Sequence, residues 1–472
     1  MRLGFTFNDV LLVPKRTPLE SRADADVSTL FTKHIKLSIP LVSSNMATVT
    51  EHRMAIAMAR EGGLGVIHQF GTIAEQAEEV RKVKRSTSYV IEDPLTVSKS
   101  ITIRQAVDLI QTENVTSLLV TEQDRLIGIF TSRDYLFETD WNKPIAAVMT
   151  PESRLITAAP NITLEDAKQL LHSHRIEKLP LVDQGQVRGL ITTQDIKKLE
   201  IWPSASRDTK GRLLVGAAVG VKDAIERATA LVAAGADVLI LDIAHCHSDY
   251  AIAVLRELKC RFAVDIMAGN IATKDAARDL IEAGADGLKV GIGPSPVCTT
   301  RIMSGAGVPQ LTAIMDVAEV AKRYGVPVCA DGGMKYPGDI TKAIAAGASS
   351  TFSGSFYAGT DEAPGLILLK DGKRYKRYMG SASYDSNHER KEKLGQQKIT
   401  ERMNVFVEGV SILVDYKGTV TDVIRGLVKG LQSGISYCGG RNIAEMQANA
   451  EFMQITANAW EESKTHGSKL SE

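Results

Sequence analysis

The chain lacks the marks of a disulfide scaffold. Its 472 residues hold five cysteines (Cys246, Cys260, Cys298, Cys329 and Cys438), an odd set with no CxxC pair, which argues against both a disulfide framework and a cysteine-rich zinc site. Excess charge of one sign is missing as well. Lys+Arg and Asp+Glu stand at 56 each, so no net field gathers nucleic acid or an anionic membrane, and a phosphorylated ligand must be held by local groups. No run of eighteen apolar residues occurs, and the opening MRLGFTFNDV has no basic region followed by a long apolar stretch. A cytoplasmic location with reduced thiols is expected, without membrane or nucleic-acid partners. The Rossmann fingerprint G-x-G-x-x-G is absent too: GIGPSP (Gly291–Pro296) and GAGVPQ (Gly305–Gln310) both fail it.

What is present is a regular alternation. Over residues 203–360 the apolar runs LLVGAAV, ADVLILDIA, FAVDIMAGN, ADGLKVGIG, VPVCADGG and SSTFSGS are separated by Ala-rich amphipathic stretches. That pitch implies parallel βαβ units, and a run such as VLIL suits a strand buried on both faces. IPLVSS (Ile39–Ser44) and GLGVI (Gly63–Ile67) have the same character. The expected fold is α/β, an eight-fold (β/α)8 TIM barrel, with a doubly wound open sheet as the structural alternative. Asp242, Asn270, Cys298 and Asp331 fall just after strand ends, the face on which barrels place chemistry.

Between the two parts lies an insertion with an internal repeat. Gly128-Ile129-Phe130-Thr131-Ser132-Arg133-Asp134 recurs as Gly189-Leu190-Ile191-Thr192-Thr193-Gln194-Asp195. Two copies are too few for a solenoid, so a paired module is expected. The division reads as 1–92 (first part of the barrel), 93–146 and 147–202 (the two modules) and 203–472 (the rest of the barrel). Residues 373–418, charged and rich in Lys, Arg, Gln, Ser and Asn, read as a mobile loop or a disordered spacer.

Cys298 ends a Gly/Pro loop in GLKVGIGPSPVCTTR (residues 287–301), followed by Thr299, Thr300 and Arg301, which can supply local polarity. A thiol on such a loop has the layout of a nucleophile, whereas core cysteines rarely end one. Asp331-Gly332-Gly333 and Ser353-Gly354-Ser355 are turns whose backbone N–H groups suit a phosphate; alternatively they are tight barrel turns. Asp242 reads as a site residue or as a helix N-cap. His245 and His247, without a carboxylate cluster nearby in sequence, read as loop residues rather than metal ligands.

GIGPSPVCTTR, together with FNDVLLVP (Phe7–Pro14), PLVSSNMATVTE (Pro40–Glu51), DIAHCHS (Asp242–Ser248), AGN (Ala268–Asn270) and ADGGMKYPGDI (Ala330–Ile340), resembles the inosine monophosphate dehydrogenase / guanosine monophosphate reductase family. The match runs in order along nearly the whole chain. The resemblance implies that Cys298 adds to purine C2, with Thr300 and Glu408 relaying a proton. Taken alone, Glu408 would read as a solvated surface carboxylate. The resemblance further implies nucleotide contacts from Ser295, Asn270, Asp331, Gly333, Gly354, Ser355 and Tyr378, and a nicotinamide side oriented by Asp242. Carbonyls of Gly291, Gly293 and Cys298 would be candidates for a monovalent cation such as potassium. Two departures stand out: Ser295-Pro296 replaces the usual Gly-Ser, and Gln69 replaces the basic residue common after His68.

The insertion resembles a tandem CBS domain pair, which implies ATP or GTP at Thr131, Asp134, Thr192 and Asp195; the alternative is a structural pair without ligand. The resemblance implies a homotetramer that can stack into an octamer, and an active-site flap within residues 373–418. Two reactions remain open. GMP reductase takes GMP and NADPH to IMP and ammonia; IMP dehydrogenase takes IMP and NAD to XMP, using an Arg-Tyr pair on the flap to activate water. No Arg-Tyr dipeptide occurs between Gly380 and Glu408, the pair's place falling near Leu394-Gly395-Gln396. Ser44-Asn45-Met46 leans toward reductases, while Asp242-Ile243-Ala244-His245, the flap length and the CBS insertion lean toward dehydrogenases. The expectation is a GMP reductase, with IMP dehydrogenase as the alternative and a non-catalytic nucleotide-sensing regulator as a third.

Overall fold

The computed structural model describes residues 1–472 except 87–88, 93, 114, 387, 389–406 and 466–472, and leaves out the side chains of 198–199. Chain contacts divide it into two compact units, Met1–Ser86 with Ser204–Ser206 and Leu213–Glu472, and Thr87–Pro203 with Arg207–Arg212.

The larger unit is a closed parallel barrel of strands β1 (Leu41–Ser43), β2 (Leu64–Ile67), β3 (Gly216–Val219), β4 (Val238–Asp242), β5 (Asp265–Ile271), β6 (Gly287–Val290), β7 (Val328–Asp331) and β8 (Ser350–Ser353). Pairing follows sequence order, and Thr351 opposite Leu41 and Gly216 opposite Val66 close the ring. Each strand is followed by a helix, from His52–Arg60 after β1 to Val420–Tyr437 after β8. This is the TIM barrel that the alternation predicted, not the open sheet.

Strand periodicity sorts the core into two layers. Val238 and Ile240 of β4 join Val42, Leu64, Val66, Ala218, Met267, Cys329 and Phe352 in one cluster, while Leu239 and Leu241 join the cluster that also holds helix residues such as Leu255 and Leu280. In β6 the alternate residues Leu288 and Val290 belong to the second layer. The residue between them, Lys289, therefore takes an inward position and is 2% exposed. Where the barrel strands begin, Asp265 accepts from Thr32 Oγ1 at 2.5 Å and Asp286 pairs with Lys259 at 2.6 Å.

Residues expected as a mobile loop or spacer are in part a sheet. β9 (Leu368–Lys370), β10 (Lys373–Met379) and β11 (Ser411–Asp415) pair antiparallel. The charged composition of β10 hid its alternation: Lys376 and Tyr378 are both 2% exposed, and Lys376 Nζ is bound to the carbonyls of Thr360 and Ala363. Burial pushes that lysine's pKa down, the nearby Asp361 acting against it.

The smaller unit carries both copies of the repeat. The hairpins Ser117–Glu122/Arg125–Thr131 and Lys178–Asp183/Gln186–Thr192 lie in one sheet, preceded by the helices Ile103–Thr112 and Leu164–Ser173. In the first copy Thr131 Oγ1 lies 2.9 Å from Asp134 Oδ2, and in the second Thr192 Oγ1 lies 2.6 Å from Asp195 Oδ2, each pair holding the start of a helix. Among the described residues no helix is long and apolar enough to cross a membrane.

Candidate active site

A cavity of about 640 Å³ opens at the carboxyl ends of the barrel strands, lined by residues following every strand. Ser44–Met46 come from β1, Gln69 and Phe70 from β2, Gly220–Asp223 from β3, Asp242 from β4, Asn270 from β5, the Cys298 loop from β6, Asp331 and Gly332 from β7, and Ser353–Ser355 from β8.

Cys298 is half-buried, and its Sγ lies 3.1 Å from Thr300 Oγ1 in a hydrogen bond. Glu408 reaches this loop through the backbone: Thr299 N–H donates to Glu408 O at 2.9 Å, Val410 N–H donates to Val297 O at 3.0 Å, and Cys298 bridges Gly409. No side-chain hydrogen bond joins Thr300 to Glu408 among the described residues, although both line the cavity. Among the described residues Arg301 hydrogen-bonds to carbonyls rather than to the thiol. Its guanidinium donates to the carbonyls of Ile292 and Val308, so it ties two glycine-bearing loops together. Burial pushes its pKa down and Cys298 opposes that shift.

The residues expected on the nucleotide side converge. Tyr378 is 2% exposed, and burial raises its pKa although a hydrogen bond with Ser295 works the other way. The phenol therefore stays a neutral donor. A Cβ on Gly354 would stand 2.5 Å from Tyr378 Oη and 2.9 Å from Ser44 Oγ, so only glycine lets the turn approach them. Gly332 and Gly333 have φ of +80° and +81°, a left-handed turn that side-chain-bearing residues rarely adopt. Lys417 Nζ donates to Ser355 O at 2.8 Å and Phe356 O at 3.1 Å, buttressing the β8 turn. Gly333 packs beside Gln310, with Gly332 facing the cavity.

One ionic chain runs beneath these groups. Lys289 Nζ sits 2.8 Å from Asp242 Oδ1 and 2.6 Å from Asp331 Oδ2. Asn45 Nδ2 donates to Asp242 Oδ2 at 2.6 Å, and Asn270 Nδ2 donates to Asp331 Oδ2 at 2.8 Å and to Gly291 O at 2.6 Å. Burial alone would lower the Lys289 pKa, but the two carboxylates outweigh it and hold the ammonium above its usual value. Sequence reasoning singled out Asp242, Asn270 and Asp331 and missed Lys289 and Asn45. The available signal was a lysine inside the otherwise apolar run GLKV. Gln310 was missed too. Its Nε2 donates to Val290 O at 2.8 Å and Asp331 O at 3.1 Å, joining the ends of β6 and β7.

Asp242 is not an N-cap: the next helix, Asp249–Arg261, is capped by Ser248. His247 Nε2 lies 2.8 Å from Asp279 Oδ2. Of the carbonyls singled out for a monovalent cation, Gly291 O already accepts from Asn270. Leu394-Gly395-Gln396, Arg390 and Arg402 lie outside the described residues. Buried Ser44 Oγ, Gln69 Oε1 and Asn270 Oδ1, all on cavity-lining residues, have no hydrogen-bond partner among the described residues. Such orphans call for a partner, which a bound water or a polar ligand supplies.

A family model described as the IMP dehydrogenase / GMP reductase domain matches residues 4–466. The chain is similar to inosine-5'-monophosphate dehydrogenase of Nitrosopumilus maritimus, 50% identical over 469 residues and 98% of each chain. It is also similar to the GMP reductase of Leishmania major, 46% identical over 478 residues, 98% of this chain and 96% of that one. Among solved structures, a cysteine-to-alanine variant of GMP reductase from Trypanosoma brucei in complex with guanosine 5'-monophosphate superposes with a TM-score of 0.86, 44% identity and 99% coverage of both chains.

Proposed function

The chain belongs to the IMP dehydrogenase / GMP reductase family, and from that premise we propose that it is a GMP reductase converting GMP to IMP and ammonia with NADPH. The observation that carries this choice is the segment between Gly380 and Glu408, whose one tyrosine, Tyr384, follows Ser383 rather than an arginine. A dehydrogenase must hydrolyse its purine adduct, and the Arg-Tyr pair that does so in such enzymes is missing.

In this reading Ser295, Tyr378 and the turns at Gly333, Gly354 and Ser355 hold the 5'-phosphate, and Asp331 holds the ribose hydroxyls. The Cys298 thiolate then forms a C–S bond at C2 of GMP. Thr300 and Glu408 carry a proton to the departing amine as the C2–N bond breaks. Asp242, Asn45 and the orphaned acceptors of Gln69 and Ser44 suit the polar head of a nicotinamide. When bound, that group supplies the hydride that forms C2–H and releases Cys298 as IMP leaves. A monovalent cation would share the Gly291 carbonyl with Asn270 and take those of Gly293 and Cys298.

Purified protein given GMP and NADPH should show steady NADPH loss at 340 nm with stoichiometric ammonia and IMP. IMP with NAD should give at most a slow turnover or a single burst. Thr300→Ala and Glu408→Gln should each lower the reductase rate about a hundredfold or more, the usual scale for positioned acid/base help. Sustained XMP from IMP without GMP-dependent NADPH oxidation would reverse the assignment and point to Arg390 or Arg402 for water activation. No turnover in either direction would leave the regulator reading.

For the insertion, a CBS pair spanning 93–146 and 147–202, we propose that ATP or GTP meets Thr131/Asp134 and Thr192/Asp195. Titrating the full chain with ATP should give heat that Asp134→Ala and Asp195→Ala together remove. Unchanged heat in the double variant would leave the pair structural. The same reading carries a homotetramer, and an octamer on nucleotide binding, which light scattering with and without ATP would separate.

A further inference from the structure

The barrel mouth is divided between two arcs. The groups proposed for the nucleotide follow β6, β7 and β8 or lie on β10, while β1, β2, β3 and β4 contribute Ser44, Asn45, Gln69, Phe70, Gly220–Asp223 and Asp242. Within the closed order β2 stands opposite β6, so Gln69 faces across the mouth from the Cys298 loop. A ligand delivering hydride to a purine held at Cys298 must present its reactive ring from that second arc.

Gln69 is 8% exposed and lines the cavity. Its Nε2 donates to Asp242 O at 3.3 Å, and its Oε1 is buried without a partner among the described residues. A primary amide so placed retains one N–H and an acceptor, the inverse of what another primary amide presents. Gly220 gives the amide its seat: a Cβ there would stand 2.6 Å from Gln69 Oε1. The amide is uncharged beside the Lys289–Asp242 pair, so it does not compete with Lys289 for that carboxylate.

We propose that Gln69 reads the carboxamide of the nicotinamide ring, accepting from its NH2 through Oε1, and so sets the face the cofactor turns toward the nucleotide. This rests on the proposed reading only in that a nicotinamide occupies the Asp242 side; it holds for either direction of the chemistry. Gln69 acts on the cofactor's orientation and takes no part in bond making.

The test compares the reduced cofactor with its reduced 3-acetylpyridine analogue, in which a methyl replaces the amide NH2. Binding is measured by calorimetry on the Cys298→Ala protein saturated with IMP, so that no turnover intervenes. With Gln69 in place the carboxamide should bind about tenfold tighter or more, since a site built to hydrogen-bond a group rejects the analogue lacking it. Gln69→Leu should bring the two within about threefold, leaving IMP affinity unchanged. Gly220→Ala, which displaces the amide without altering it, should also narrow the preference, and Gln69→Glu, which keeps an acceptor, should retain it. A preference that persists undiminished in Gln69→Leu and Gly220→Ala, or its absence with Gln69 present, overturns the proposal. Failure of the reductase reading would look different: XMP would form from IMP while the carboxamide preference stayed intact.

Discussion

Cys298→Ala should leave the protein without measurable turnover while it still binds GMP. The thiol is the one soft nucleophile on the loop that faces the cavity; Cys246 and Cys329 are fully buried, and burial pushes the pKa of each up to about 12. Neither can replace it. Loss of covalent catalysis is expected to cost on the order of 10⁴ in kcat or more. Nucleotide affinity should change by less than about fivefold, because the proposed phosphate and ribose contacts come from Ser295, Asp331, Gly354 and Tyr378. Folding should change little, since Cys298 is half-buried and its side chain makes one hydrogen bond to Thr300. Single-turnover and steady-state assays with calorimetric GMP binding decide the matter. A variant that turns over within about tenfold of the parent removes Cys298 from the chemistry.

Lys289→Met should damage the protein most after that, in stability and in nucleotide binding together. The change leaves Asp242 and Asp331 facing an uncharged side chain, supported among the described residues by their bonds to Asn45 and Asn270. Removing one partner from a buried ion pair costs about 3–5 kcal/mol. The pH signature separates this from simple loss of packing. In the parent the Lys289 pKa is raised in the folded state, so its contribution is full below the unfolded value of ~10.4 and is lost as pH rises through the folded value. In the variant the two carboxylates that flanked the ammonium lose the cation between them, and like charges so placed resist being ionised together, which favours uptake of a proton in the folded state. The folded state then binds more protons, and the deficit should shrink as pH falls from 7 toward 5. Urea unfolding of parent and variant at both pH values measures it. An equal deficit at both pH values, or none, would show that Lys289 is not the keystone of this pair.

Much of the catalytic framework is readable without coordinates, because a parallel barrel writes its strands as apolar runs at a constant pitch and places its chemistry just after them. Asp242, Asn270, Cys298 and Asp331 each follow such a run, and the structure gathers all four around one cavity. The charged stretch after residue 373 reads as loop because it is rich in Lys, Arg, Gln, Ser and Asn. In β10 the inward Lys376 satisfies its ammonium on carbonyls and Tyr378 packs behind the Gly354 turn, so the strand alternates in burial but not in hydropathy.

The amino-acid sequence by itself determined the barrel, the repeated insertion and the glycine-rich loop that ends at Cys298, since these follow from periodicities and spacings within short stretches of chain. Only the tertiary structure decided what the site is made of. Periodicity places Lys289 inside the barrel but cannot say that its partners come from β4 and β7, the latter 42 residues away. Nor can it bring Glu408, which alone reads as a surface carboxylate, to the backbone of Thr299. Ring closure makes such residues neighbours, and the energy of a buried charge depends on who those neighbours are.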